Sequence, residues 1–401
     1  MSYIENLLQG AEIEWKPLGD VAELKRGTSI TKKTSTEGKY PVISGGQQPA
    51  YYIDTFNRDG ETITVAGSGA YAGFVMFWNE PIFVSDAFSI KADEKQILSR
   101  YIYHFLLNIQ EKIHDLKAGG GVPHVYAKDV ARFLVPIPCP DNPTKSLEIQ
   151  RKIVEILDKF TTLEAELEAE LDCRRRQYEY YRNQLLSFGM LNRGGQRLNN
   201  IKIMSLGELG TFTRGSGLQK KDFTPTGNGC IHYGQIYTYY GTYAYKTKSF
   251  VSQEFAQKAR KAKNGDLIIA TTSENDEDVC KAVAWLGDEE IAVSSDACFY
   301  AHTMNPKYVA YYFQTEQFQK QKRCFITGTK VRRVNSNDLA KIKIPVPPLA
   351  EQERIVSILD KFDTLTNSIS EGLPKEIELR RKQYEYYRNQ LLSFPEYKAT
   401  A

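Results

Sequence analysis

The chain writes one segment twice. RRRQYEYYRNQLLSF occupies residues 174–188 and RRKQYEYYRNQLLSF residues 380–394; they differ only at Arg176 against Lys382, and the charge is kept. The copies lie 206 residues apart (380 − 174). Solenoid repeats run roughly 20–50 residues, so this spacing means duplicated domains. The duplication extends well beyond the segment. QRKIVEILDKF (150–160) returns as QERIVSILDKF (352–362), and KDVARFLVPIP as NDLAKIKIPVP. LGDVAELKRG (18–27) pairs with LGELGTFTRG (206–215), VSDAF (84–88) with SSDACF (294–299), and YIYHFL (101–106) with YVAYYF (308–313). Each repeat is a long variable region followed by a shared helical tail. A chain of 401 residues is also too long for one ordinary core.

The tails read as helices. Ile149, Ile153, Ile156, Phe160, Leu163 and Leu167 alternate spacings of four and three, as do Ile355, Ile358, Phe362, Leu365 and Ile369. That is a heptad seam, and it predicts coiled-coil packing. The first helix is expected to run to about Phe188, some 40 residues or roughly 60 Å. The second is expected to break at Gly372-Leu373-Pro374. LEAELEAEL (163–171) holds a tandem tetrapeptide. One copy is just over a helical turn, so gaining or losing one changes the length by ~6 Å and nearly keeps the face. Two readings stand, a solvated helix surface or a ruler whose length matters.

The variable regions mix short strands with helices. PVISGG, YYIDTF, ETITVAGSGAYAGFVMFW and IFVSDAFSI read as strands and turns, while 99–116 and 306–323 read as amphipathic helices. The expected division is 1–147 and 201–347 as the two variable domains, and 148–188 and 348–394 as helical spacers. A linker at 189–200 and a tail at 395–401 complete it. The fold class expected is α+β: two mixed α/β domains joined by two long antiparallel helices in a coiled coil, a pseudo-twofold circular repeat.

Composition excludes several classes. No apolar run approaches the ~20 residues of a bilayer span, and the start, MSYIENLLQGAEIEW, has no signal-peptide pattern. The six cysteines form no CxxC pair and the five histidines do not cluster, so neither a disulfide framework nor a metal site is expected. A reducing cytoplasm fits. Net charge is only +3, but residues 201–347 hold 20 basic and 14 acidic residues while 14–147 hold 15 of each, so a polyanion surface is expected on the second half. GSGAYAG (67–73) follows a strand but precedes FVMFW, another strand, so it is a hairpin turn and not a phosphate loop. There is no GxxxxGK[ST], no GxSxG and no Asn/Asp-Pro-Pro-aromatic motif. Catalysis by this chain alone is not expected.

The order of these segments resembles the DNA-specificity (S) subunit of type I restriction–modification enzymes over essentially the whole chain, and IVxILDKF, QYEYYRNQLLSF and the tetrapeptide resemble the type IC subgroup. The resemblance implies that each variable region is a target-recognition domain reading half of a bipartite double-stranded DNA site. It implies that the helices hold the domains apart and fix an unspecified gap, with tetrapeptide copy number associated with gap length. It further implies two methyltransferase (M) subunits carrying S-adenosylmethionine, and restriction (R) subunits using ATP and Mg, with no cofactor on this chain. The family is described as a circular pseudo-repeat, which IENLLQGAEIEWKPLG would complete. A bacterial or archaeal cytoplasm is implied as well.

That reading explains the duplication, because two identical M subunits need two near-identical docking surfaces. Tyr178, Tyr180, Tyr181 and Arg182, with Tyr384, Tyr386, Tyr387 and Arg388, are the docking candidates, because aromatic rings with polar tips suit interfaces. Helix-on-helix packing is the competing reading for the tyrosines. Base reading needs Arg, Lys, Asn or Gln at base edges. The candidates are Lys32, Lys33, Gln47, Gln48, Tyr51, Tyr52, His124 and Tyr126 in the first half. In the second half they are Arg214, Lys220, Lys221, Gln235, Tyr237, Tyr239, Tyr240, Lys330, Arg332 and Arg333. GTKVRR (328–333) and YGQIYTYYGTYAYK (233–246) combine polar and aromatic residues as nucleic-acid surfaces do. Alternatives are an orphan S-like module that competes for M without restriction, an enzyme acting alone, and a purely structural scaffold.

Overall fold

The computed structural model describes Leu8 and residues 12–191 and 201–394. Most of the expected linker, the tail 395–401 and most of the N-terminal stretch lie outside the described residues. Two compact units are present, residues 1–168 with 376–401, and residues 169–375. Six helices position the residues of interest: α1 (Ser99–Asn108), α2 (Pro143–Leu185), α3 (Pro306–Tyr312), α4 (Glu316–Arg323), α5 (Leu349–Asn367) and α6 (Leu373–Leu392).

In the first unit an antiparallel sheet orders the strands Ala22–Arg26, Ala87–Ala92, Thr62–Ala66 and Val75–Trp78. Thr62–Ala66 is buried at every position, as a covered central strand must be. Both of its buried hydroxyls are matched: Thr62 donates to Gly60 O at 3.0 Å and Thr64 accepts from the Trp78 indole at 2.8 Å. GSGAYAG joins Thr62–Ala66 to Val75–Trp78, which pair antiparallel, and the hairpin reading of that stretch holds. The proline strand Leu134–Pro138 pairs antiparallel with Ile13–Pro17.

The second unit repeats this plan. Gly210–Arg214, Ala297–His302, Leu267–Ala270 and Ala282–Trp285 take the same order, with Tyr243–Ala244 added at the edge. Lys343–Val346 pairs antiparallel with Lys202–Ser205. A further five-stranded sheet, running from Phe223–Thr224 to Lys261–Ala262, enlarges this unit.

Two expectations need adjustment. The helix expected over 99–116 is two, α1 and Gln110–His114, because Ile109 leaves helical geometry at φ −107°, ψ 20°. The helix expected over 306–323 is also two. Thr315 caps α4 by accepting from Phe318 N, so α3 ends before it. The second tail breaks between Asn367 and Leu373, with Gly372 at φ +81° and Pro374 in the first turn of α6, where proline is tolerated. A side chain on Gly372 would place Cβ 2.4 Å from Thr364 O.

The duplicated segments sit in exchanged places. Tyr384, Leu391, Leu392 and Phe394, from the second repeat, pack in the core of the first unit with Tyr101, Phe105 and Ile153. Tyr178 and Leu186, from the first repeat, pack in the core of the second with Tyr308, Tyr311 and Leu359. Each variable domain is therefore closed by the other repeat's tail. Phe160 stacks on Tyr387 at 5.2 Å, and Arg381 bonds Glu164 and Glu168 at 2.5 Å each, so α2 and α6 run antiparallel within the first unit.

Candidate nucleic-acid interface and docking faces

Corresponding residues of the two repeats hold each tail in place. In the first unit the Asp158 carboxylate accepts from Arg100 and from His104 Nε2 at 2.7 Å, while His104 Nδ1 meets the Tyr384 hydroxyl at 2.8 Å. Burial alone would raise the Asp158 carboxyl, but the bonds from His104 and Arg100 outweigh it and hold it below its usual value. Burial pushes His104 down, so the ring is neutral near pH 7. Offsets of 202 to 207 carry these residues onto Lys307, Tyr311 and Asp360. Lys307 Nζ lies 2.8 Å from Asp360 and the Tyr311 hydroxyl donates to it at 2.7 Å. Tyr178 takes the place of Tyr384, with its hydroxyl 3.5 Å from Asp363. Arg388 lies over the Tyr384 ring at 5.1 Å, as Arg182 lies over Tyr178 at 5.0 Å.

This arrangement divides the docking candidates. Tyr178 and Tyr384 are buried inside their units, where the helix-packing reading describes them. Arg182 and Arg388 bond inward, to Gln314 at 3.1 Å and Asn108 at 3.4 Å. Tyr180 and Tyr386 are about equally exposed, at 60% and 59%, and Tyr181 and Tyr387 at 39% and 40%. The duplicated segment thus shows the same pair of tyrosines on each unit's surface.

The candidate base-reading residues fall into two sets. A small hairpin occurs at matched places. Ala118 and His124 exchange two backbone bonds (3.0 and 2.8 Å), and Thr327 and Arg333 exchange two (2.9 Å each). Gly119 (φ +115°) and Gly328 (φ +88°) turn the two hairpins, and a Cβ on Gly328 would sit 2.1 Å from Val331 O. His124 also bridges Ser68, as Arg333 pairs with Thr272. His124 stacks on the exposed Tyr126 with ring centres 6.1 Å apart. Arg214, Asp296 and Arg333 line one cavity of about 380 Å³ in the second unit.

Lys32, Lys33, Gln47, Gln48 and Tyr52 are at least partly exposed, as are Lys220, Lys221, Tyr239 and Lys330. Tyr51 donates inward to Ile30 O at 3.1 Å. Arg332 is held by Asp276 at Nε (2.7 Å) and by Gly328 O at Nη1 (2.6 Å). Gln235 bonds Ser249, Tyr237 donates to Thr272 O at 2.7 Å, and Tyr240 is buried with its hydroxyl accepting from Lys248 N at 2.7 Å. The tyrosine-rich stretch 233–246 therefore anchors its own loop with several of its polar ends. Asp296, which lines the cavity with Arg214 and Arg333, was not among the sequence candidates, and the repetition of VSDAF in SSDACF was the available signal.

Among the described residues no group of three His, Cys, Asp or Glu side chains converges as a metal site, and no helix is long and apolar enough to cross a membrane.

Comparison with known proteins agrees with this architecture. The type I restriction modification DNA specificity domain matches residues 11–172 and again 199–379. The Escherichia coli type I restriction enzyme EcoR124I/EcoR124II specificity subunit is 34% identical over 98% of each chain. A putative type I restriction enzyme specificity subunit of Haemophilus influenzae is 30% identical, also over 98% of each. The crystal structure of a type I restriction–modification S subunit from M. genitalium shares the fold, with a TM-score of 0.58 at 17% identity over 96% of this chain and 98% of that one. A chain from a structure of type I restriction–modification complex assembly gives 0.59 at 14% identity over 95% and 97%. The duplicated domains, the exchanged tails and these matches lead to one assignment: the chain belongs to the family of type I restriction–modification DNA-specificity subunits.

Proposed function

We propose that the chain specifies the DNA sequence of a type I restriction–modification complex, with recognition domains 1–147 and 201–347 each reading one half of a bipartite site. Spacers 148–188 and 348–394 set the gap between the half-sites. The observation that carries this reading is the exchange of tails, which gives two unlike domains matching helical surfaces. One M subunit docks on the face carrying Tyr180 and Tyr181 and a second on the face carrying Tyr386 and Tyr387. The M subunits supply S-adenosylmethionine and adenine methylation, R subunits supply ATP- and Mg-dependent cleavage, and the complex works in the cytoplasm. Net charge of +3 favours weak DNA binding by this chain alone, with partners providing much of the phosphate contact.

The test is co-expression with the M subunit encoded beside it, in a host free of adenine methylation, with modified adenines then mapped. A split motif of fixed gap is expected. A stable complex with M that methylates nothing would overturn the reading.

A further inference from the structure

The two recognition domains must differ where their half-sites differ, so residues that the repeats share cannot tell the half-sites apart. Arg26 and Arg214 end matched strands, and Asp86 and Asp296 precede matched strands. These pairs supply the same chemistry to both halves. The last residue of the hairpin does not: it is His124 in one unit and Arg333 in the other, on the same backbone bridge.

We propose that this hairpin position discriminates the half-sites, and that Arg333 takes a guanine which the first half-site does not present to His124. The proposal rests on the reading of the chain as a DNA-specificity subunit. Arg333 is exposed, and its guanidinium has no partner among the described residues. Its neighbour Arg332 is occupied by Asp276 and the Gly328 carbonyl. Arg214 lines the same cavity, with its Nε donating to Ser295 O at 3.0 Å.

An unspent guanidinium fork fits guanine O6 and N7, and it also fits a phosphate. Asp296 decides between them. A carboxylate lining the same cavity repels phosphate but accepts from the cytosine N4 amine across the pair. The His124 imidazole carries its two nitrogens on different edges of the ring and cannot form that fork.

The test maps methylated adenines for the M complex carrying wild-type chain, Arg333→Ala, Arg332→Ala or His124→Ala, and measures DNA binding against salt. With Arg333→Ala, one position of one half-site should relax from guanine to any base. The preference there should fall about 5- to 150-fold, while Arg332→Ala leaves the motif intact. An unchanged motif with uniformly weaker binding and a salt slope reduced by about one would mark a phosphate contact and overturn the proposal alone. So would relaxation at a position that is not guanine in the wild type. A wild-type complex with no split motif would overturn the functional reading itself.

Discussion

The same tyrosine is written twice, and the two copies should not cost the same to remove. Tyr384 donates to His104 Nδ1 at 2.8 Å. The other ring nitrogen, Nε2, is 2.7 Å from the Asp158 carboxylate, which can only accept. The ring is therefore protonated at Nε2 and Nδ1 needs a donor. His104 has no exposed surface, so water cannot replace that donor in the closed structure. Tyr384→Phe keeps the ring packing and strands one buried acceptor, at about 1–3 kcal/mol. Tyr178 bonds Asp363 at 3.5 Å, the limit of a useful hydrogen bond, and Asp363 keeps its 2.8 Å bond from Asn367. Tyr178→Phe should cost under about 1 kcal/mol. A chain of two units need not unfold in one step, so segment-resolved hydrogen exchange is the appropriate assay. Tyr384→Phe should raise opening of Ser99–Asn108 about 5- to 150-fold, and Tyr178→Phe should raise opening of Pro306–Tyr312 less than about 5-fold. Equal effects, or a larger effect of Tyr178→Phe, would refute the hydrogen-bond accounting.

The same geometry makes other outcomes testable. A third LEAE copy after Glu170 lengthens α2 by ~6 Å and should widen the gap of the methylated motif by one to two base pairs with both half-sites unchanged; mapping of modified adenines reads this directly. Burial pushes His302 down to about 4. Below pH ~6.5 the unfolded chain therefore binds a proton that the folded chain refuses. Stability of the second unit should fall by on the order of 3 kcal/mol between pH ~6.5 and 4, and His302→Gln should flatten that slope in denaturant melts. Gly328→Ala forces a side chain into a positive-φ site 2.1 Å from Val331 O, so it should disorder the 327–333 hairpin and lower methylation with little change in melting temperature. Alanine at Tyr180, Tyr181, Tyr386 and Tyr387 together should weaken co-purification with M at least tenfold while circular dichroism stays unchanged.

Much of the frame was legible because it rests on periodic patterns. The heptad seam located α2, Gly372-Leu373-Pro374 marked the break before α6, and the order of paired segments gave two matched domains. What was not legible depends on contacts distant in sequence. Nothing local shows that Tyr384 serves a histidine 280 residues earlier, or that Tyr178 belongs to the unit that comes after it. Composition was also ambiguous at 233–246. A tyrosine with its hydroxyl on a backbone carbonyl, as Tyr237 has, reads the same in sequence as one awaiting a ligand. Similarly, Arg332 and Arg333 are adjacent and alike in sequence, and the positions of Asp276 and Gly328 O set the bound Arg332 apart from Arg333, which has no side-chain partner among the described residues.

The exchanged tails also set an order of maturation. Residues 169–375 form a unit that is continuous along the chain, whereas the first unit needs residues 376–394 to fill its core. On the ribosome the first domain emerges early, but the part of its core filled by Tyr384, Leu391, Leu392 and Phe394 stays open until α6 has been made. The second domain, started later, is complete sooner. At the several residues per second typical of synthesis, the first domain exposes apolar surface for roughly ten seconds or more, which makes it the natural client of chaperones.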